Sequence, residues 1–383
     1  MTAPRATMRL QLRRDFGFAD AMQLVPYFAS LGISHLYVSP ILTARVGSKH
    51  GYDVVDPTTV SPELGGEVGL RQLVAALRGA GLGIIVDIVP NHMAAGGMEN
   101  PWWGDVLQHG PTSRYAKFFD IDWNSPDPDL RGKVLAPYLG EPYGETLRSG
   151  ALILARDDSS ASPVIRYFDN RFPIRPQDHA DVAAAASDAF DPATETGRER
   201  LHQLLEQQNY RLAWWRSAGD EINWRRFFDI NGLVALRVED DTVFEATHGT
   251  LLRLYREGLI DGVRVDHIDG LADPAGYSCH LRARLAALAS LRPSDAPNGR
   301  AYLVVEKILG AGESLPCNWD VDGTSGYDFM DDVNALLHDP AGEAPLQELW
   351  CSISGRRADF AAEEVAARQD VLDSSFSAPL TRQ

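Results

Sequence analysis

The stretch "DGVRVDHIDG", residues 261–270, decides how this chain is read. It begins like a buried strand and then sets Arg264, Asp266, His267 and Asp269 close together. Side chains alternate along a strand, so Arg264 and Asp266 share a face. A buried carboxylate without a partner is costly. Charge at this density therefore means that one end of the strand opens onto a polar site. Two other strand-like runs have the same form: Asp87 follows apolar residues in "GIIVDIVPNH", and Glu306 closes the apolar run of "YLVVEK".

Around these runs the chain has a βα rhythm. "FADAMQLVPYFASLG" has a helical pattern ending at Gly32, and "ISHLYVSPI" reads as a strand. The helical "EVGLRQLVAALRGAG" then precedes the strand "LGIIVDIVPNH". The rhythm resumes with the helical "TVFEATHGTLLRLYREG", the strand "IDGVRVDHIDG", the helix "HLRARLAALASL" and the strand "AYLVVEKIL". Near-continuous apolar strands alternating with helices predict a parallel sheet covered on both faces. The interval from 94 to about 220 breaks the pattern, being rich in Pro, Gly, Asp and aromatic residues. In its last part, "ERLHQLLEQQNYRLAWWRSAG", apolar residues at Leu201, Leu204, Leu205, Leu212 and Trp215 have a helical period. The expected organisation is residues 1–93 as the start of a barrel, 94–195 as an inserted subdomain, and 196–383 as the barrel's continuation.

Composition narrows the partners. The 383 residues include 53 acidic and 36 basic side chains, a formal charge of −17. That field repels phosphate backbones and anionic lipid, which argues against nucleic acid and membrane partners and suits a neutral ligand. The three cysteines, Cys279, Cys317 and Cys351, have no metal-type spacing. They read as buried or incidental thiols of a reducing compartment. The N-terminus lacks the apolar core of a secretory signal, and no apolar run approaches the ~20 residues of a membrane span. A cytoplasmic protein is expected.

In a (β/α)8 barrel the active site lies at the C-terminal end of the strands, so Asp87, Asp266 and Glu306 would converge on one pocket. One such acid could simply cap the following helix; three on successive strands are harder to explain that way. Two carboxylates with separate roles are what cleavage of a glycosidic bond requires. Asp266 suits the nucleophile, with Arg264 on the same strand face to hold it ionised and oriented. Glu306, with its longer arm, suits the acid/base. A separation of about 5–5.5 Å between them would mean retention of configuration.

These motifs resemble those of the alpha-amylase superfamily. "DIVPNH" is similar to its first signature, "GVRVDHIDG" to its second and "VVEK" to its third; "LGISHLYVSPI" and "HGYDVVDP" resemble its first-strand and substrate-binding segments. The resemblance implies a (β/α)8 TIM barrel of alpha-amylase type with a subdomain inserted after strand 3. It makes Asp266 the nucleophile and Glu306 the acid/base. Tyr52 would stack on the sugar, Asp87 would buttress the site, and His92, Arg264 and His267 would bind around the reacting ring. Amylases usually carry Lys-His three and four residues after the nucleophile, where this chain has Asp269 and Gly270. "RVDHIDGLADPAGY", "VVEKILGAGESLP", "INWRRFFDINGLVALRVED" and "WDVDGTSGYDFM" together resemble the maltooligosyltrehalose synthase family.

That family resemblance implies an isomerase, a glucosylmutase of trehalose biosynthesis. Its substrate is a maltooligosaccharide or glycogen-derived α-1,4-glucan, and it needs no cofactor or metal, although Asn91 stands where many amylases bind calcium. Full-length relatives are expected to be monomers. The aromatic residues Trp102, Trp103, Phe118, Phe119 and Trp123 would form either a lid over the sugar or the subdomain's own core. Trp214, Trp215, Trp224 and Phe228 are expected to pack against helices. The superfamily's fourth signature, a His-Asp pair on strand seven, is not found, because His338-Asp339 precedes Pro340 at a helix end. The barrel is therefore expected to be incomplete in this chain, without its last strands and C-terminal β-domain. Two alternatives follow: an amylase-like hydrolase, or an inactive glucan-binding fragment lacking the third catalytic carboxylate.

Overall fold

The computed structural model describes residues 4–382 apart from 158–161, 187, 295, 298 and 311. Met1–Ala3 of the N-terminal segment, Ser187 of the Ala/Asp-rich stretch and Ala311 of "VVEKILGAGESLP" thus lie outside the described residues. Six parallel strands form the main sheet in sequential order: β1 (Thr7–Leu10), β2 (His35–Val38), β3 (Gly83–Ile88), β4 (Gly262–Val265), β5 (Tyr302–Val305) and β6 (Gly323–Thr324). Strictly sequential parallel order is the arrangement of a (β/α) barrel. Here the sheet is open, with β1 and β6 at its edges. The edge strands β1 and the two-residue β6 flank the four strands named from the sequence.

The helices between strands form where the apolar period is 3.6. The first helical stretch is two short helices, α1 (Phe18–Gln23) and α2 (Val25–Ser30), divided at Leu24 with Pro26 in the first turn of the second. In α3 (Gly66–Gly79) the buried residues Leu70, Leu73, Val74 and Leu77 lie three and four apart. The next long helix, α4 (Asp241–Arg256), starts where the Asp240 carboxylate accepts the Thr242 amide. In α5 (Pro274–Ala289), Asp273 caps in the same way and Pro274 holds the first position.

Between β3 and α4 the chain forms small sheets of its own. Strand His92–Ala94 pairs with Ile230–Ala235, which also pairs with Arg226–Phe227. A three-stranded antiparallel sheet comprises Leu152–Arg156, Pro163–Tyr167 and Asn170–Pro173. The pairing of Ile230–Ala235 carries these elements past residue 195, to 235. The expected long helix after 195 also differs. Helix Glu195–Glu206 stops, and Tyr210–Trp214 runs as a strand parallel to Val134–Leu139. Burying Tyr210 and Leu212 on alternate positions against that ladder overrides the helical spacing.

Aromatic packing holds this region together. Trp103, Phe119 and Trp224 are fully buried and meet edge to face, with ring centroids 5.2 and 5.4 Å apart. Trp102 stacks on Tyr115 and meets Phe118 edge-on. Trp103, Phe118 and Phe119 are core and Trp102 and Trp123 pack against it, the second of the two roles expected for these aromatics.

Three further helices, α6 (Tyr327–Ala335), α7 (Glu343–Ser354) and α8 (Phe360–Asp373), contain no buried residue among those described. They expose Leu336, Leu337, Ile353 and Phe360. A groove of about 1310 Å³ between α7 and α8, lined in part by Leu346, Trp350 and Val371, shares no residue with the carboxylate-bearing strands. The cysteines are free thiols, and Cys279 and Cys317 are exposed rather than buried. No helix among the described residues is long and apolar enough to cross a membrane.

At the N-terminal end of the sheet, Asp261 is fully buried. It accepts hydrogen bonds from both terminal nitrogens of Arg78 (2.7 and 2.8 Å), from Arg292 (3.0 Å) and from the Ile84 amide (2.9 Å). This clamp ties α3, β3 and β4 to the segment after α5. Removing one partner strands the others, so Asp261→Ala should cost about 3–5 kcal/mol of stability in urea unfolding. An unchanged midpoint would mean that the two arginines find other acceptors.

Candidate active site

The carboxylates converge because of register. Arg264 of β4 pairs with Asp87 of β3 on one side and Val304 of β5 on the other. Asp266 and Glu306 follow the last residues of β4 and β5. Their amides continue the stagger, donating to Ile88 O (2.9 Å) and Val265 O (2.8 Å). Asp266 and Glu306 thus stand at one level of neighbouring strands, with Asp87, opposite Arg264, two residues below them.

Arg264 joins them. Its Nη1 donates to Asp87 Oδ1 at 2.8 Å and Asp266 Oδ1 at 2.6 Å, and its Nη2 lies 3.0 Å from Glu306 Oε1. The guanidinium is buried, with 7% of its side chain exposed. Asp87 is completely enclosed, and its Oδ2 accepts the hydroxyls of Tyr37 (2.8 Å) and Tyr52 (2.5 Å). Tyr52 in turn accepts from Arg9 Nη2 at 2.8 Å, and the Arg9 guanidinium lies 4.9 Å from the centre of the Tyr37 ring. Tyr52 therefore binds Asp87 as well as presenting its ring to the site. Arg9 and Tyr37 were not singled out in the sequence. The available signal was their place on strands β1 and β2, each on the face opposite its buried apolar neighbours.

His267 has left-handed backbone (φ 48°), and its amide donates to Glu306 Oε2 at 2.8 Å. Its ring is packed so tightly over Gly270 that a Cβ there would lie 2.2 Å from it, which is why the stretch must end in glycine. Its other neighbours are Phe227 and Phe228, at 4.7 and 4.9 Å between ring centres. His92 is buried 4.5 Å from Phe227, and its Nε2 has no hydrogen-bond partner. Burial pushes the His92 pKa down to about 3, so the ring is neutral. All seven residues singled out, Tyr52, Asp87, His92, Arg264, Asp266, His267 and Glu306, fall in this one region. Of the aromatic residues expected to pack on helices, Trp224 is buried, whereas Trp215 and Phe228 are exposed and Phe228 borders the site.

Among the described residues no group of three or more His, Cys, Asp or Glu is placed to hold a metal ion. The Asn91 side-chain oxygen accepts from the Arg225 guanidinium at 3.0 Å, and Arg225 also donates to Gly270 O at 2.7 Å. His338 and Asp339 lie far along the chain in the exposed helical region, where Asp339 caps a single turn through the Ala341 amide.

The charge balance differs from expectation at Asp266. Burial raises its pKa to about 7; Arg264 opposes the shift, while Asp87 and Glu306 add to it. One guanidinium divided among three carboxylates does not offset the cost of burying Asp266. Burial likewise raises Asp87, against Arg264 and the two tyrosine hydroxyls.

The sign for stability follows. Asp266 has a native pKa above its ordinary 3.8, so between 3.8 and about 7 the native state holds more protons than the unfolded one. Stability from this group is complete below 3.8 and is lost as pH rises through about 7. Asp266→Asn, which cannot ionise, should therefore gain on the wild type as pH rises from 4 to 7, by at least about 3 °C in melting temperature. Parallel melting curves across that range would contradict the shift.

Comparison with known proteins agrees with this geometry. Residues 20–145 match the alpha amylase catalytic domain family. A putative maltooligosyl trehalose synthase of Mycobacterium tuberculosis is 45% identical over 358 residues, 90% of this chain and 40% of the relative. The solved maltooligosyltrehalose synthase of Arthrobacter ramosus superposes with a TM-score of 0.84 at 36% identity, covering 99% of this chain and 44% of that one. A hypothetical maltooligosyl trehalose synthase of Sulfolobus tokodaii gives a TM-score of 0.78 at 34% identity, covering 98% and 45%. The chain spans about 40% of the length of the curated relative it matches. Its open parallel sheet is an incomplete barrel of alpha-amylase type. Over nearly its whole length the chain is similar to part of the maltooligosyl trehalose synthases, and residues 20–145 match the catalytic domain of the alpha amylases.

Proposed function

We propose that this chain carries part of the active site of an intramolecular transglycosylase that converts the reducing-end α-1,4 bond of a maltooligosaccharide into an α,α-1,1 bond. The observation that carries the reading is the Arg264 guanidinium held between Asp266 and Glu306 at the ends of adjacent strands. Asp266 attacks the anomeric carbon as Glu306 protonates the departing oxygen, leaving a glycosyl-enzyme and a free terminal glucose. The glucose turns in place. Its anomeric hydroxyl gives its proton to Glu306 and attacks the glycosyl-enzyme, so two inversions give net retention. Water must be excluded between the two steps, or the product is a hydrolysate.

The other residues fit supporting roles in this scheme. Asp87 orients Arg264, and Tyr52 and the neutral His92 lie around the reacting sugar's subsite. His267 positions Glu306 through its amide. In this reading the barrel resumes at α4, and the small sheets after β3 form the inserted subdomain. Free thiols and a storage-glucan substrate favour the cytoplasm.

The second reading is a folded glucan-binding fragment without turnover. Incubation with maltopentaose, following reducing ends and free glucose together, separates these readings. Falling reducing ends with flat glucose means that the terminal sugar has been turned around, and Glu306→Gln should then slow that reaction at least about 1,000-fold. Rising reducing ends mean hydrolysis. Binding without change in either favours the fragment.

A further inference from the structure

Phe228 lies on a hairpin whose two central residues are Phe228 and Asp229, between Arg226–Phe227 and Ile230–Ala235. Its φ is 49°, a region that glycine enters freely and a bulky side chain does not. Phe168, in the hairpin between Pro163–Tyr167 and Asn170–Pro173, has the same φ and rests on Tyr167. The backbone conformation is thus a property of these turns. What sets Phe228 apart is where its ring lies.

That ring is 55% exposed, yet it packs on His267, the residue next to Asp266 and the one whose amide holds Glu306. With Phe227 and the buried His92 it completes a run of four rings, from the floor of the site to its rim. The hairpin is also held from behind. Arg226 donates to Asn231 Oδ1 (2.5 Å), to Asp229 O (3.1 Å) and to Ser375 O (2.8 Å), and Ser375 donates to Asp229. The braced turn thus keeps an apolar face open beside the residue whose amide holds the acid/base.

We propose that Phe228 is a positioning residue: its exposed face stacks on the glucose ring on the leaving side of the cleaved bond and retains that glucose while it turns. The inference rests on the function proposed above. The side follows from Glu306, which must protonate the departing oxygen and is reached through His267, on which Phe228 packs. A stacking face suits this task better than hydrogen bonds, because it holds a ring by its apolar surface without fixing which hydroxyl points where. A sugar can rotate upon it without first breaking directional contacts.

The test is titration calorimetry of maltopentaose into the full chain, as wild type, Phe228→Asn and Phe228→Tyr, with melting temperatures of each. Asparagine tolerates this backbone region but offers no ring face. The expected result is a loss of affinity of about 5-fold or more in Phe228→Asn, recovery to within about 2-fold in Phe228→Tyr, and no fall in melting temperature for Phe228→Asn. Unchanged affinity in Phe228→Asn with a binding wild type overturns this inference and leaves the proposed function standing. A melting temperature lowered together with affinity assigns Phe228 a structural role and also overturns it. A folded wild type that binds no maltopentaose overturns the proposed function, and this inference with it.

Discussion

The site depends on one cation shared by three acids. Arg264 cannot move without leaving Asp87, Asp266 and Glu306 in mutual repulsion inside a largely buried space. None of the three can be removed without changing the charge felt by the others. Asp87 is further fixed by two tyrosine hydroxyls, and Arg9 steadies one of those tyrosines. The cluster stores a deficit of positive charge, visible as the raised pKa of Asp266. A ligand or an additional cation near the acids would relieve it.

The rest of the fold serves this arrangement from its two ends. At the N-terminal end of the strands, the fully buried Asp261 gathers Arg78 and Arg292 into a clamp that aligns β3 with β4. At the C-terminal end, the same register brings Arg264 opposite Asp87. Both clusters belong to the single stretch 261–270, one at each end of β4. One strand thus carries the structural ion network just before its first residue and the chemical one from Arg264 onward.

Much of this was legible because periodicity and charge are local. An acid after an apolar run marks the open end of a parallel strand, so Asp87, Asp266 and Glu306 could be read from the chain, and Arg264 with them through strand alternation. Other features were hidden because their cause is distant in sequence. Tyr210–Trp214 has helical spacing with its upstream neighbours, yet it becomes a strand because Val134–Leu139 offers a ladder. From composition Trp103 and Phe119 could be sugar platforms or core; they are core because they pack together with Trp224 from far along the chain. Phe228 looked like a packing residue, yet it is exposed because its turn points it toward His267.

The sequence by itself determined the strand-helix order, the acids at the strand ends and the superfamily signatures, since each follows from hydrophobic period and residue chemistry within a few positions. Only the tertiary structure decided which acids share one cation and which aromatic faces stay open. Those depend on how far one guanidinium must be divided, and on which distant segment covers each ring. Both are set by packing between residues far apart in the chain.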